Sequence, residues 1–257
     1  ANLSTLRNRV TSLGFGTDSY ISGSYITKVG EEIGQFYGWV YEGIARTQEV
    51  LDNHATQEGA QIGDCLYKDV NNDGKVDSED QVVLGSGMPK INFGLNARFE
   101  YKRFDLSIAT FGALNYHVSD DIYNSLNSCY GWGNKEVGML DANRFSEDGS
   151  TYLSNVPRTY VTNSASLGWN DLFSSRKIQN AAYWKIANVE LGYNFPDKWF
   201  DKYVSDVRFY ISAQNLHTFT GYHGYNVDYA GGTFTPGYNF CSYPTARTFM
   251  CGVHFTF

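Results

Sequence analysis

The sequence has no apolar run of the 18 or more residues that a membrane-crossing helix needs, so no transmembrane helix is expected. Positive charge is short: Lys and Arg total 20 against 27 Asp and Glu, a formal net charge of −7. That balance argues against a nucleic-acid partner, which calls for basic patches. Four cysteines, Cys65, Cys129, Cys241 and Cys251, show no metal-ligand spacing and neither establish nor exclude disulfides. Five histidines (His54, His117, His217, His223 and His254) form no close ligand pair. No nucleophile motif and no phosphate-type glycine loop occurs, so an enzyme is not expected. The chain starts at Ala1 with neither Met nor a signal-like segment, which predicts that the natural N-terminus is missing or removed.

Tyrosine (20), phenylalanine (17) and glycine (26) are plentiful, while proline (5) is scarce, a composition that favours strands over helix bundles. Strict period-two alternation marks the last stretch. Phe249, Cys251, Val253, Phe255 and Phe257 fall on one face, and Thr248, Met250, Gly252, His254 and Thr256 on the other. Ile91 to Tyr101 alternates in the same way, with Phe93, Leu95 and Phe99 opposite Asn92, Asn96, Arg98 and Glu100. After Lys102-Arg103 the pattern resumes at Phe104, Leu106 and Ile108, which predicts a tight hairpin. Val189 and Leu191 carry the pattern near 184–195, and Phe209 carries it near 207–214.

Each clean arm spans about ten residues, the length of a tilted membrane-crossing strand. The second face bears Arg98, Glu100 and Asp105, too polar for a sandwich core. The spacing therefore predicts an all-β protein: the C-terminal portion of a transmembrane β-barrel, with about six to eight antiparallel strands. Six strands are firm, with at most two more in residues 14–50. The predicted lipid-facing set is Phe93, Leu95, Phe99, Leu106, Val189, Leu191, Phe209, Phe249, Val253, Phe255 and Phe257. Connections alternate between short (102–103, 196–204) and long (115–180, 219–244), as in outer-membrane barrels with long external loops and short periplasmic turns. The C-terminus is then expected to be periplasmic and the long loops extracellular. Short helices are expected at 48–55 and near 118–127.

Residues 69–80 read Asp-Val-Asn-Asn-Asp-Gly-Lys-Val-Asp-Ser-Glu-Asp. Asp69, Asn71, Asp73, Asp77 and Asp80 stand at positions 1, 3, 5, 9 and 12 of an EF-hand-like loop, with Lys75 at 7 and Gly74 at the sharp turn. A structural Ca²⁺ is the expected cofactor; Asp at position 12 is a shorter arm than the usual Glu. Aromatic residues in the long loops, Tyr130, Trp132, Trp169, Tyr222 and Tyr225, are candidate substrate or lid contacts, with packing between loops as the alternative for each. A competing reading is a secreted or cell-surface, carbohydrate-binding β domain with a structural calcium.

Six stretches, in order, carry a family likeness: Val29-Gly-Glu-Glu-Ile-Gly-Gln-Phe-Tyr-Gly38; Asp69-Val-Asn-Asn-Asp-Gly74; Tyr101-Lys-Arg-Phe-Asp-Leu-Ser107; Trp184 to Pro196; Ala213 to Tyr222; and Tyr243 to Phe249, with the terminal Phe257. Together they span nearly the whole chain, which resembles the C-terminal part of SusC/RagA-type TonB-dependent outer-membrane transporters of Bacteroidota. The resemblance makes residues 1–257 one stretch of such a barrel, with the plug and N-terminal strands absent and the 69–80 loop inside it. It implies a barrel of about 22 strands in the whole transporter. It further implies import of oligosaccharides or peptides, a SusD-like surface lipoprotein as a lid, energy through the TonB complex, and an integral outer-membrane location.

Overall fold

The computed structural model describes residues 1–129, 133–159, 165–196, 199, 204–228 and 231–256. Its first strands are β1 (Asn2–Thr5), β2 (Ser19–Ser22), β3 (Tyr25–Lys28), β4 (Gln35–Gly38), β5 (Tyr41–Ile44), β6 (Cys65–Tyr67) and β7 (Val82–Ser86). There follow β8 (Ile91–Tyr101), β9 (Phe104–Leu114), β10 (His117–Asp120), β11 (Gln179–Asn180), β12 (Tyr183–Asn194), β13 (Asp206–Thr220), β14 (Tyr238–Asn239) and β15 (Thr248–Thr256). Two short helices, α1 (Gln48–Asp52) and α2 (Asp121–Leu126), are capped by Thr47 and Asp120, whose side chains accept from the amides of Val50 and Tyr123.

The strands with sustained alternation form one antiparallel sheet in the order β1-β8-β9-β12-β13-β15. Cross-strand partners share a face, so the register decides which side chains stand together. Phe99 pairs with Leu106, Leu106 with Leu191, Leu191 with Ile211 and Ile211 with Cys251. That row lies on the apolar face. Glu190 pairs with Ser107 and Ser212, and Arg208 with His254, on the polar face. Lys102, at φ +57, begins the two-residue turn joining β8 to β9, where positive φ is required.

Alternation read straight through β12 would place Trp184 and Ile186 on the polar face with Asn188. A bulge between Ile186 and Asn188 shifts the register, opposite Asn215 of β13, which sits at φ +51. One extra residue reverses the sidedness beyond it. Trp184 and Ile186 therefore join the face of Val189, with Trp184 stacked on Phe219 at 5.2 Å between centroids. Asn215 interrupts the pattern without ending the strand, and β13 continues to Thr220.

The expectation of at most two strands in residues 14–50 is corrected. β2, β3, β4 and β7 form one sheet, and β5 pairs with β6 in another. Four-residue strands buried on both sides show no sustained alternation: β3 has Tyr25, Ile26 and Thr27 all buried in succession. A further small sheet, β11-β10-β14, ties the 115–180 loop to the 221–247 loop.

The register also sorts the connections by end. Thr5 to Ile91, Leu114 to Tyr183 and Thr220 to Thr248 all leave the long sheet at the same end. The Lys102-Arg103 turn and the Asn194 to Asp206 link lie at the other. The two clusters of buried apolar residues lie away from the long sheet's outer face. Ala113, Tyr116, Val118, Ala181, Tyr183, Tyr222 and Val227 make one cluster at the long-loop end. Cys65, Tyr67 and Val76 make a second within the loops.

Candidate functional site

The long sheet has one open face. On its apolar face Leu95 (49% exposed), Leu191 (40%) and Phe255 (52%) stand open, and Phe93 is half-buried beside Leu3. Phe99, Phe209, Phe249 and Val253 are also exposed, while Leu106 and Val189 are half-buried between neighbouring strands. No second sheet covers this face among the described residues, which removes the two-sheet core that a β-sandwich reading requires. Phe257 lies outside the described residues.

The polar face carries a charge network. Arg208 Nε donates to Asp105 Oδ1 at 2.9 Å, and its Nη2 donates to Asp105 Oδ2 at 2.5 Å and Glu190 Oε1 at 2.8 Å. The three residues sit on β13, β9 and β12. Gly192 lies beneath the guanidinium, and a Cβ there would collide with both Arg208 and Asp105. Near the long-loop end Lys185, 4% exposed, donates to Asp228 Oδ2 at 2.9 Å and so ties the 221–228 segment to β12.

The loops themselves are held by buried polar contacts. Asp64, fully buried, takes a bidentate pair from Arg158 at 2.6 and 3.0 Å and a further bond from Asn170 Nδ2 at 2.8 Å. Asn170 Oδ1 in turn accepts the Cys65 amide at 2.7 Å. This network fixes the neighbouring Trp169 beside Tyr67, whose hydroxyl donates to the Trp169 carbonyl. Trp39 and Trp169 flank Tyr67, with ring centroids 6.5 and 6.3 Å from its own. The two indoles line a cleft of about 540 Å³ together with Leu172, Ser78 and the acidic residues Glu58 and Asp77. Trp39 Nε1 donates to the Asp77 carbonyl at 3.0 Å, and Trp169 Nε1 to the Glu58 carbonyl at 2.9 Å. Burial pushes the Cys65 and Cys129 thiols up to about 12, which makes both poor nucleophiles.

In the 69–80 loop the oxygen-bearing side chains turn back onto the loop's own amides. Asp69 accepts from Asn72 and Gly74, Asn71 from Asp73, Asp73 from Lys75, and Asp77 from Glu79. Asn72 and Gly74, at φ +60 and +86, make the sharp turn. Each such oxygen retains a lone pair. Asp80 differs, being fully buried with Oδ1 facing the Val70 and Asn71 amides and Oδ2 facing Asp77. Burial opposes its charged form, but the amides of Asp77, Val70 and Asn71 outweigh that and hold its carboxyl below the usual range. Asp80 thus caps the loop's own amides from inside. Lys75 is bridged to Thr56. Among the described residues no group of three His, Cys, Asp or Glu side chains converges as a metal cage.

Of the candidate contacts, Trp169 lines the cleft and Tyr225 is 66% exposed. Tyr222 is buried, and its hydroxyl joins Asp120 and Asn239, so its ring packs loops together and presents no face. Tyr130 and Trp132 lie outside the described residues. Sequence reasoning missed Trp39 and Glu58 in the cleft and, separately, the Lys185–Asp228 pair, because in each case the partners are distant in the chain.

No family model matches the chain. It is 28% identical to TonB-dependent receptor P3 of Formosa agariphila, covering 100% of this chain and 26% of the receptor. It is 24% identical to TonB-dependent receptor SusC of Bacteroides thetaiotaomicron, over 100% of this chain and 24% of that protein. Among solved structures, the RagAB peptide transporter superposes with a TM-score of 0.77 at 20% identity, covering 99% of this chain and 26% of that one. The chain spans about a quarter of the length of the curated relatives it matches. Those relatives are receptors, not enzymes. Over its whole length the chain is thus similar to TonB-dependent receptors, SusC among them, and it shares the fold of the matching part of the RagAB transporter.

Proposed function

We propose that this chain supplies part of the barrel wall and outward loops of an outer-membrane importer of nutrients. The observation that carries the reading is the sidedness of the long sheet: an exposed apolar face through β8, β9, β12, β13 and β15, backed by a polar face holding Arg208, Asp105 and Glu190. Lipid would meet the first face and a wet lumen the second. The three long connections would then face outward and the short turns the periplasm. The relatives support TonB as the energy source, a SusD-like lipoprotein as the outer partner, and an oligosaccharide or peptide as cargo.

The test is topological, in the intact receptor on living cells. A protease site placed at 147–150 should be cut from outside, and one placed at Lys102-Arg103 should be cut only after the outer membrane is opened. Cleavage of both in sealed cells would overturn the orientation.

A structural Ca²⁺ in the 69–80 loop is a second proposal. Its support is the spacing of the Asp69, Asn71, Asp73, Asp77 and Asp80 side chains with the Lys75 carbonyl at position 7, and the lone pairs that the Asp69, Asn71, Asp73 and Asp77 oxygens retain. The sealed carboxyl of Asp80 limits the site to a weak one. Calorimetric titration of the receptor, with and without Asp73→Ala, tests it.

A further inference from the structure

We infer that the cleft between Trp39 and Trp169 is a binding subsite for a cationic group, of the kind carried by a lysine or arginine side chain. The inference deepens the importer reading, on which it rests for the outward placement of these loops. The cleft, at about 540 Å³, falls within the size range of ligand sites. Its two indoles are held in fixed orientation, because each ring N–H is already committed to the backbone carbonyl of another lining residue: Trp39 to Asp77 and Trp169 to Glu58. The rings therefore present their π faces rather than their donors. Aromatic faces attract cations, and tryptophan does so most strongly.

The polar lining points to the same ligand. Glu58 and Asp77 are exposed acidic residues, and among the described residues no Lys, Arg or His lines the cleft. A neutral sugar could stack on the rings, but it would desolvate carboxylates without neutralising them. An anion would be repelled. A guanidinium or ammonium satisfies the rings and the carboxylates together. The site is also pre-organised. The buried Asp64–Arg158–Asn170 network fixes Trp169 from behind, and Tyr67 packs between the two indoles.

The experiment titrates the purified full-length receptor in detergent with N-acetyl-arginine amide and N-acetyl-lysine amide, followed by tryptophan fluorescence and calorimetry. N-acetyl-glutamine amide and maltose serve as neutral probes. The cationic probes should bind, and affinity should fall with added salt, as an exposed charge contact does. Trp39→Ala and Trp169→Ala should each lose about tenfold. Glu58→Gln and Asp77→Asn, which keep shape and acceptors, should weaken binding and flatten the salt dependence. Wild-type-like unfolding in the isosteric pair guards against a folding artefact. Equal binding of the glutamine probe, or salt-independent binding of maltose that the tryptophan substitutions abolish, would overturn the cationic assignment. So would indoles shielded from a soluble quencher in the ligand-free receptor, because the cleft would then be filled by the receptor itself. Protease topology on cells reads the importer orientation separately, so either claim can fail alone.

Discussion

Arg208 on β13 reaches over Gly192 on β12 to grip Asp105 on β9, with Nε to Oδ1 at 2.9 Å and Nη2 to Oδ2 at 2.5 Å. The absence of a side chain at Gly192 makes the crossing possible, since a Cβ there would meet both partners. The bond spans three strands and shares its second arm with Glu190. In a sheet whose other face has no protein neighbour among the described residues, such ties hold the strands in register from the polar side.

Removing the guanidinium should therefore cost more than a surface ion pair. Arg208→Met leaves Asp105, 7% exposed, and Glu190 facing each other without a cation. A loss of about 1–2 kcal/mol is expected, between an exposed ion pair and a fully buried one. Gly192→Ala should destabilise in the same direction by displacing the guanidinium. Unfolding temperatures of the full-length receptor in detergent check both. Wild-type stability in Arg208→Met would show that the network contributes nothing net.

The two faces of one strand should respond oppositely to charge. Leu191 is exposed on the apolar face, between Leu106 and Ile211. Leu191→Arg should cost roughly 2–4 kcal/mol in a bilayer if the residue lies near the midplane. Tyr210→Arg, on the opposite face, should cost far less. Folding yields into lipid vesicles give the comparison, and equal yields would argue that Leu191 never meets lipid.

Acid should open the 69–80 loop. The Asp80 carboxyl is held below its usual range in the folded chain. Its stabilisation is therefore present above the unfolded value near 3.8 and is lost as pH falls through the lower folded value. Between pH 5 and 8 this loop should be insensitive to pH, and below about pH 4 its amides should lose protection. Asp80→Ala should mimic the acid effect at neutral pH, costing about 1–3 kcal/mol for the abandoned amides. Hydrogen exchange at Val70, Asn71 and Asp77 measures it. Unchanged protection at those amides in the variant would remove Asp80 from the role of cap.

The barrel wall was legible in the sequence because period-two alternation over nine or more residues has few other meanings. β8, β9 and β15 match their expected faces residue by residue, since nothing interrupts the pleat. β12 and β13 were legible only up to the bulge at Ile186 and Asn188, where sidedness flips without a glycine or proline to announce it. The short strands β2 to β7 were not legible, because three to five residues are too few to show a period and β3 is buried at three successive positions. The two-tryptophan cleft was half visible. Trp169 stood out as an aromatic in a long loop, but its partner Trp39 lies 130 residues earlier, and the segments meet through backbone bonds of Trp39 with Phe173 and Ser175 and through the Asp64–Arg158 pair. Tyr222 carried the same sequence signal as Trp169 and is buried, since aromatic identity alone does not say whether a ring faces a ligand or a neighbouring loop.

Calcium affinity distinguishes a loop that needs its ion from one that merely tolerates it. Asp69, Asn71, Asp73 and Asp77 already satisfy their own amides, so the turn is folded by hydrogen bonds alone. An ion added to such a loop gains its remaining lone pairs but no bidentate clamp, because both Asp80 oxygens are engaged inward. Binding should consequently fall in the weak range of extracellular modules, roughly 10⁻⁴–10⁻³ M. Asp73→Ala should abolish it, whereas Asp80→Ala should impair the fold of the loop before it impairs affinity. Saturating Ca²⁺ should raise the unfolding temperature by only a little, in proportion to RT ln(1 + [Ca²⁺]/Kd). Nanomolar affinity would mean that Asp80 turns outward on binding, and identical heats for the receptor and Asp73→Ala would leave the hydrogen bonds as the loop's whole architecture.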